Sequence, residues 1–465
     1  MTKSNQYDDF QRGIGTAKAP NWRDLAKVDS KQVPDLLTTE NSPNLGSDKY
    51  SPLRYTSQEF HQQEVDKIWK RTWQVACREE EIPNVGDHFV YNVAGLSFLI
   101  VRNGETQFKA YWNVCLHRGR RLVDEDGCGT KAFRCKYHAW TWNLEGELTY
   151  YPAAWDFPDV QREKYGLRQV QVETWGGYIF INPDLKAPPL AQHIGSMDKH
   201  FERWPLDKRF TLWHLQKTIN ANWKIALEAF LESYHLMETH PQALSSVTEH
   251  GTQYDIYDEG DAQFSRLITP TGTPSMHSKD GTPIGAIADV WAMLNAFRSS
   301  EAPPLPTEIT NRATLSEWRR NSMKEMTGID FSKLSDAEML DSIQYFLFPN
   351  FVPWFGEGLP LVYVFRPNSD SPDTCYFDVW MLIRAPEGVP APPSPKTVKL
   401  GPNDRFEDVI GAMGVVFDQD DGNMPNVQLG MKTWPGDPEG PTWARYQESR
   451  IRHFNQVLNK IIARP

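Results

Sequence analysis

The chain has 465 residues, 40% of them hydrophobic and 23% charged, with a formal net charge of −11. That is enough apolar material for two or three packed domains, while an acidic balance without a dense Lys/Arg run speaks against nucleic acid and anionic membranes as partners. No stretch approaches the ~18 apolar residues of a spanning helix, and the polar opening MTKSNQYDDFQRG does not read as a secretory leader, so a cytoplasmic location is expected.

Residues 1–50 are polar and weakly periodic, an arm expected to pack on the rest of the fold or on a neighbouring subunit. From Thr56 to Trp73 a helical period places Phe60, Val65, Ile68, Trp69 and Trp73 on one face, with Thr56 or Ser57 as cap. Between Gly86 and Asn182 short alternating apolar runs are separated by turn residues, which predicts an all-β module. From about Lys186 onward, helical stretches (221–237, 313–326 and 444–462) mix with strand-like ones (359–368 and 375–385). The expected class is therefore α+β, with boundaries at 1–50, 51–185 and 186–465. Pro-rich stretches near 386–396 and 435–441 read as loops.

Five cysteines are sparse over a long chain and odd in number, which argues against a disulfide framework. Two of them are each followed by a histidine: Cys115-x-His117 and Cys135-x-x-His138, with seventeen residues between the pairs. Thiolate with imidazole favours zinc, iron or copper over calcium or magnesium. A closed zinc site uses the same ligand types, but its spacings usually place Cys with Cys and His with His. One Cys and one His on each loop is the split that a two-iron cluster with unlike irons requires. Cys128 lies in the spacer and has no ligand slot.

With its flanks Arg118-Gly119, Tyr137 and Trp140, this segment resembles the Rieske [2Fe–2S] motif; Ala139 stands where that motif frequently has Gly. Farther on, Asn220–Pro241 holds Glu232, His235 and His240. On a continuous helix Glu232 and His235 would share a face, whereas His235 and His240 would diverge by about 140°. Pro241 is expected to end the helix before His240 and let that ring fold back.

Asn222-Trp223-Lys224, Glu232, His235, His240 and Pro241 resemble the mononuclear-iron motif of Rieske non-haem iron oxygenases, the aromatic ring-hydroxylating alpha subunits, with Ala229 where family members often carry Asn. The resemblance spans nearly the whole chain. It implies an all-β Rieske domain followed by a helix-grip (START-like) catalytic domain with an antiparallel sheet. It also implies a distant carboxylate that completes a two-histidine, one-carboxylate iron site. The segment VVFDQDDGNMPNVQLGM offers Asp418, Asp420 and Asp421; the family's Gln-x-Gly offset, met here by Gln428-x-Gly430, points to Asp420, and the sequence does not exclude Asp421. The other acids read as a solvated turn.

What the resemblance implies functionally is a terminal oxygenase. A Rieske [2Fe–2S] cluster and a mononuclear Fe(II) activate O2 to hydroxylate or dihydroxylate an apolar, aromatic substrate. Glu232 would bridge the cluster ligand His138 of one subunit and the iron ligand His235 of the next in a head-to-tail homotrimer, with or without a beta subunit. No Gly-x-Gly-x-x-Gly follows a strand, and Gly176-Gly177 reads as a strand bend. Electrons are therefore expected from a separate NAD(P)H-dependent flavin reductase, directly or through a ferredoxin. Oxidative demethylation, or attack on a methylated amine, is the enzymatic alternative; an electron carrier and a hydrophobe-binding protein are the non-enzymatic ones. The aromatic runs Tyr345–Phe355 and Val290–Phe297 are weak candidates for pocket lining.

Overall fold

The computed structural model describes residues 20–296, 303–435 and 440–464. The first nineteen residues of the predicted arm, Phe297 and part of the loop predicted near 435–441 lie outside them.

The predicted leading helix is shorter than its period. Ser57 caps α1 (Gln58–Glu64) by accepting from the Phe60 N–H, and the chain then widens into a π turn over Val65–Trp69. Trp73 falls beyond the helix yet is still buried. The next residues form β1 (Gln74–Arg78), a strand that the sequence reading left out. All five of its residues are buried, including Gln74 and Arg78, so no alternation betrays it.

β1 joins β2 (His88–Val93), β3 (Leu96–Gly104), β4 (Gln107–Trp112), the short β5 (Phe133–Arg134), β6 (Thr141–Trp142) and β7 (Leu148–Tyr150), and then β8 (Gln169–Trp175) and β9 (Tyr178–Asn182). Six of them make an antiparallel sheet in the order β1-β9-β8-β4-β3-β2, and β5-β6-β7 make a small second sheet. Gly176 and Gly177 are the two central residues of the β8–β9 hairpin, with φ of +59° and +77°. They make a turn between two strands rather than the bend within one that was expected. Both angles favour residues without a Cβ, and the twist of such turns matches that of the flanking strands.

The second large sheet contains β10 (Arg209–Ile219), β11 (Gln253–Glu259), β12 (Ala262–Thr269), β13 (Ser342–Leu347), β14 (Phe351–Phe355), β15 (Leu361–Pro367), β16 (Cys375–Arg384) and β17 (Val398–Leu400). Its order is β11-β12-β13-β14-β15-β16-β10-β17, antiparallel except for the parallel β10–β17 edge. Strands β12 and β15 are buried at every position, since layers cover both faces. Val290, Trp291 and Leu294 sit in the core cluster that also holds Trp22 and Leu315. They do not belong to the cluster that holds the aromatics beside the candidate iron ligands.

The Asn222-Trp223-Lys224 motif works as a joint. Asn222 caps α2 (Trp223–Ala229), Trp223 donates to Glu64 of α1 at 3.2 Å, and the Lys224 ammonium pairs with the same carboxylate at 2.7 Å. Both members of that pair are fully buried, a geometry that is strongly destabilised by removing either partner alone.

Glu228, also on α2, faces Tyr55 and Asn455. Burial pushes its carboxyl up to about 7, against the hydrogen bonds of Asn455 and Tyr55 and the charges of Lys224 and Arg54. A folded-state value above the unfolded one means that the native protein binds the extra proton between about pH 4.5 and pH 7. Stability therefore falls as pH rises through that window. Glu228→Gln removes the dependence. Its apparent melting temperature relative to wild type should climb from pH 5 to pH 8, by the equivalent of at most about 3 kcal/mol; an offset that does not change with pH contradicts this.

Candidate metal centres

The first Cys–His loop leaves β4 of the six-stranded sheet, and the second connects β5 to β6 of the small one. The two loops are built alike. Cys115 N–H donates to Arg120 O at 2.7 Å and Gly119 N–H to Cys115 O at 2.9 Å; Cys135 N–H donates to Trp140 O at 2.8 Å and Ala139 N–H to Cys135 O at 3.0 Å. Each loop closes on a left-handed residue, Gly119 at φ +73° and Ala139 at +62°. Alanine is strained there by about 1 kcal/mol relative to glycine, so the departure from the motif carries a backbone cost and leaves the loop shape intact.

Cys115 and Cys135 are buried and not joined in a disulfide, and their sulfurs are within hydrogen-bond reach of each other. Burial pushes the Cys115 thiol up and the neighbouring sulfur adds to it, while the His117 and Arg118 N–H groups aimed at Sγ pull it down. The His117 and His138 rings meet edge to face at 4.6 Å, and His117 stacks on buried Trp140 at 5.1 Å. Two buried sulfurs beside two imidazoles, on loops that already share one hydrogen-bond pattern, fit a [2Fe–2S] cluster with unlike irons. Cys128 is exposed.

The second group is assembled from three elements. The helix predicted over 221–237 breaks: α2 ends at Ala229 and α3 spans only Leu236–Thr239. Glu232 and His235 therefore do not share a helix face; they meet across the turn between helices. The Glu232 carboxylate accepts the His235 backbone N–H at 2.9 Å and contacts its Nδ1 at 2.7 Å. His240 leaves the helix at φ −124°, ψ 56°, as expected of a residue before proline. The rings of His235 and His240 come to 5.2 Å of each other.

The third element is α4 (Ala412–Lys432), a long helix where the sequence suggested an acidic turn. Each of its acids has its own task. Asp418 accepts the N–H groups of Phe406 and Glu407. Asp421 pairs with buried Lys217 of β10 at 3.2 Å. Asp420 faces the histidines, with Oδ1 at 3.0 Å from His240 Nε2 and 3.6 Å from His235 Nε2. The buried face of α4 runs Gly414, Phe417, Asp420, Met424, Gln428, a helical period into which Asp420 fits and Asp421 does not. Gln428 fixes the register by accepting the Asn222 N–H at 3.0 Å.

Both histidines present Nε2 to Asp420, and a carboxylate or amide oxygen meets Nδ1 of each. Glu232 does this for His235; for His240 it is Gln419 Oε1, at 2.8 Å, which also accepts from Gln242 at 2.7 Å. No local pattern singled out Gln419, since its contact joins residues 179 apart. Burial alone would lower the His235 pKa; the Glu232 charge and hydrogen bond, with Asp420 behind them, raise it to about 9. Three ligand atoms, from His235, His240 and Asp420, lie within 4.8 Å of one another. That fits a mononuclear ion with open positions. Gln419→Ala should weaken iron binding by about 10- to 100-fold in metal-release titrations while leaving the cluster spectrum unchanged; unaltered iron retention would refute this role.

An aromatic group adjoins Asp420: Phe230, Tyr363 and Phe417, with centroids 5.2 Å (Phe230–Tyr363) and 5.9 Å (Tyr363–Phe417) apart. The Tyr363 phenol is raised by burial and then by the Asp420 charge.

Residues 198–464 match the model of the ring hydroxylating alpha subunit (catalytic domain), and residues 72–161 that of the Rieske [2Fe–2S] domain. The chain belongs to the ring-hydroxylating alpha-subunit family. Its family cofactors are accordingly a Rieske [2Fe–2S] cluster and a mononuclear iron. Its relatives include the glycine betaine monooxygenase oxygenase subunit of Pseudomonas aeruginosa, 33% identical over 198 residues, 42% of this chain and 45% of that protein. The biphenyl 2,3-dioxygenase subunit alpha of Rhodococcus jostii is 30% identical over 224 residues, 47% of this chain and 46% of that one. These matches span about half the length of the curated relatives. The fold is similar to that of a quaternary ammonium Rieske monooxygenase solved with L-carnitine (TM-score 0.61, 16% identity, 91% of this chain and 99% of that one). It is also similar to naphthalene 1,2-dioxygenase (TM-score 0.62, 18% identity, 91% and 94%). Among the described residues no helix is long and apolar enough to cross a membrane.

Proposed function

We propose that this alpha subunit is the terminal oxygenase component of a multicomponent system, acting with O2 on an apolar, aromatic substrate. The observation that carries the reading is the coexistence of the paired Cys–His loops with the His235–His240–Asp420 group, one of whose histidines is clamped by Glu232. The domain division at 50 and 185 belongs to this reading.

Cys115, Cys135, His117 and His138 would hold the cluster, and His235, His240 and Asp420 the mononuclear iron. When bound, the cluster supplies electrons and the iron supplies the centre at which O2 is activated. Glu232 and Gln419 accept the Nδ1 protons of the two histidines, which fixes the tautomer that leaves each Nε2 lone pair for metal. Three protein ligands leave coordination positions for O2 beside substrate. Phe230, Tyr363 and Phe417 keep bulk water from one side of that space and offer ring faces to an apolar molecule.

His138 and Glu232 are both only part-buried. Their partial exposure supports a trimer in which Glu232 joins His235 of its own subunit to His138 of the neighbour. A separate NAD(P)H-dependent flavin reductase, with or without a ferredoxin, would supply the electrons in the cytoplasm.

A second reading is oxidation of a methylated amine, favoured by the names of the glycine betaine and carnitine relatives; the same aromatic faces suit a quaternary ammonium group. The test is metal counting, then O2 uptake. About three Fe per chain are expected, and about two would leave an electron carrier. NADH-coupled O2 consumption with a compatible reductase, screened over arenes and methylated amines with product identification, separates ring hydroxylation from demethylation. No product from either class would overturn both.

A further inference from the structure

Among the described residues a second group brings three metal-ligating side chains together: Glu249, His250 and His277, with ligand atoms all within 4.8 Å of one another. It shares no residue with the iron centre. The Glu249 Oε1 lies 2.5 Å from His277 Nδ1 and 3.7 Å from His250 Nδ1, and the two rings stand edge to face at 6.1 Å. The carboxylate is buried, while the His277 side chain is 24% exposed, which leaves a way in from solvent.

The two segments that carry these residues are held together before any ion binds. Val247 and Thr271 form a bridge, Thr248 N–H donates to Pro270 O at 3.0 Å, and Gly272 N–H donates to Ser246 O at 2.7 Å. The Thr248 hydroxyl donates to Thr273 O at 3.0 Å, and Ser275 Oγ accepts the His277 N–H at 2.9 Å. Ligands placed on a fixed frame lose little freedom on coordination, which is what a metal site needs.

We infer that Glu249, His250 and His277 form a second cation site, for a divalent transition ion of the zinc type. Two imidazoles with one carboxylate suit zinc and its neighbours rather than calcium or magnesium, and three protein ligands leave a fourth position for water. The ion would tie the turn at Glu249–Gly251, which begins nine positions beyond His240, to the loop that carries His277.

The test uses full-length, iron-loaded protein dialysed against Zn2+ and then against metal-free buffer, with zinc and iron counted by mass spectrometry. Wild type should retain about one zinc per chain. Glu249→Gln and His277→Gln should each retain at least about tenfold less after the same dialysis, with iron content and the [2Fe–2S] EPR signal unchanged. His277→Gln keeps a hydrogen-bonding partner for Glu249 and serves where the other variant does not accumulate. Wild type without bound zinc, or variants that retain as much as wild type, would overturn the site; the latter result would place the zinc elsewhere, as in the iron pocket. None of these readouts depends on turnover, so they stand or fall separately from the oxygenase reading.

Discussion

Glu232→Gln should keep about three Fe per chain and an unchanged cluster EPR signal, yet lose turnover by about 10- to 100-fold or more. The carboxylate uses both oxygens on His235, one for the ring and one for the backbone N–H. An amide keeps one acceptor and turns the other into a donor that faces a donor, which costs about 1–3 kcal/mol locally. It also removes the negative charge that an imidazole of the next subunit would meet. The decisive measurement is single-turnover product formation by the fully reduced variant. Product at the wild-type rate would remove Glu232 from the path between the centres; slowed cluster oxidation together with reduced product would support it.

Asp420→Asn and Asp421→Asn should part company. Among the described residues the first removes the only acid that faces both histidine Nε2 atoms, and iron should drop to about two per chain while the fold persists. The second should retain iron. It strips the partly exposed carboxylate from the buried Lys217 ammonium, which still donates to the carbonyls of Pro402 and Asp404. The expected penalty is about 1–3 kcal/mol, below that of a fully buried pair, seen as a lower melting temperature. Iron loss from Asp421→Asn with retention by Asp420→Asn would reverse the assignment.

These contrasts show where the chain could be read directly. The matching build of the two Cys–His loops and the approach of His240 to His235 were legible because that geometry is local: residue spacing and one proline dictate it. Asp420 was narrowed but not isolated, although the period Gly414, Phe417, Asp420, Met424, Gln428 would have isolated it had the segment been read as helix. Its acids, its glycines and Pro425 disguised it. The helical reading of Glu232 and His235 failed because α2 ends at Ala229, where tertiary contacts outweigh propensity. Strand β1 was hidden by polar residues at both ends that are buried through specific partners: Gln74 to the Trp69 carbonyl and Arg78 to Glu80. Gln419 had no signal at all.

The stretch before the cluster module has a consequence of another kind. Strand β11 is the rim of the eight-stranded sheet, and such a rim offers unsatisfied main-chain groups to any extended segment that drifts past. Here Ile256 N–H donates to Asn41 O at 2.7 Å, Asn41 N–H donates to Asp255 at 2.8 Å, and Arg266 reaches the carbonyl of Leu36 at 2.8 Å. The polypeptide thereby seals its own open border. A shortened version lacking residues 20–50 would bare that border and invite self-association, so solubility, before any loss of chemistry, is what such trimming would forfeit first.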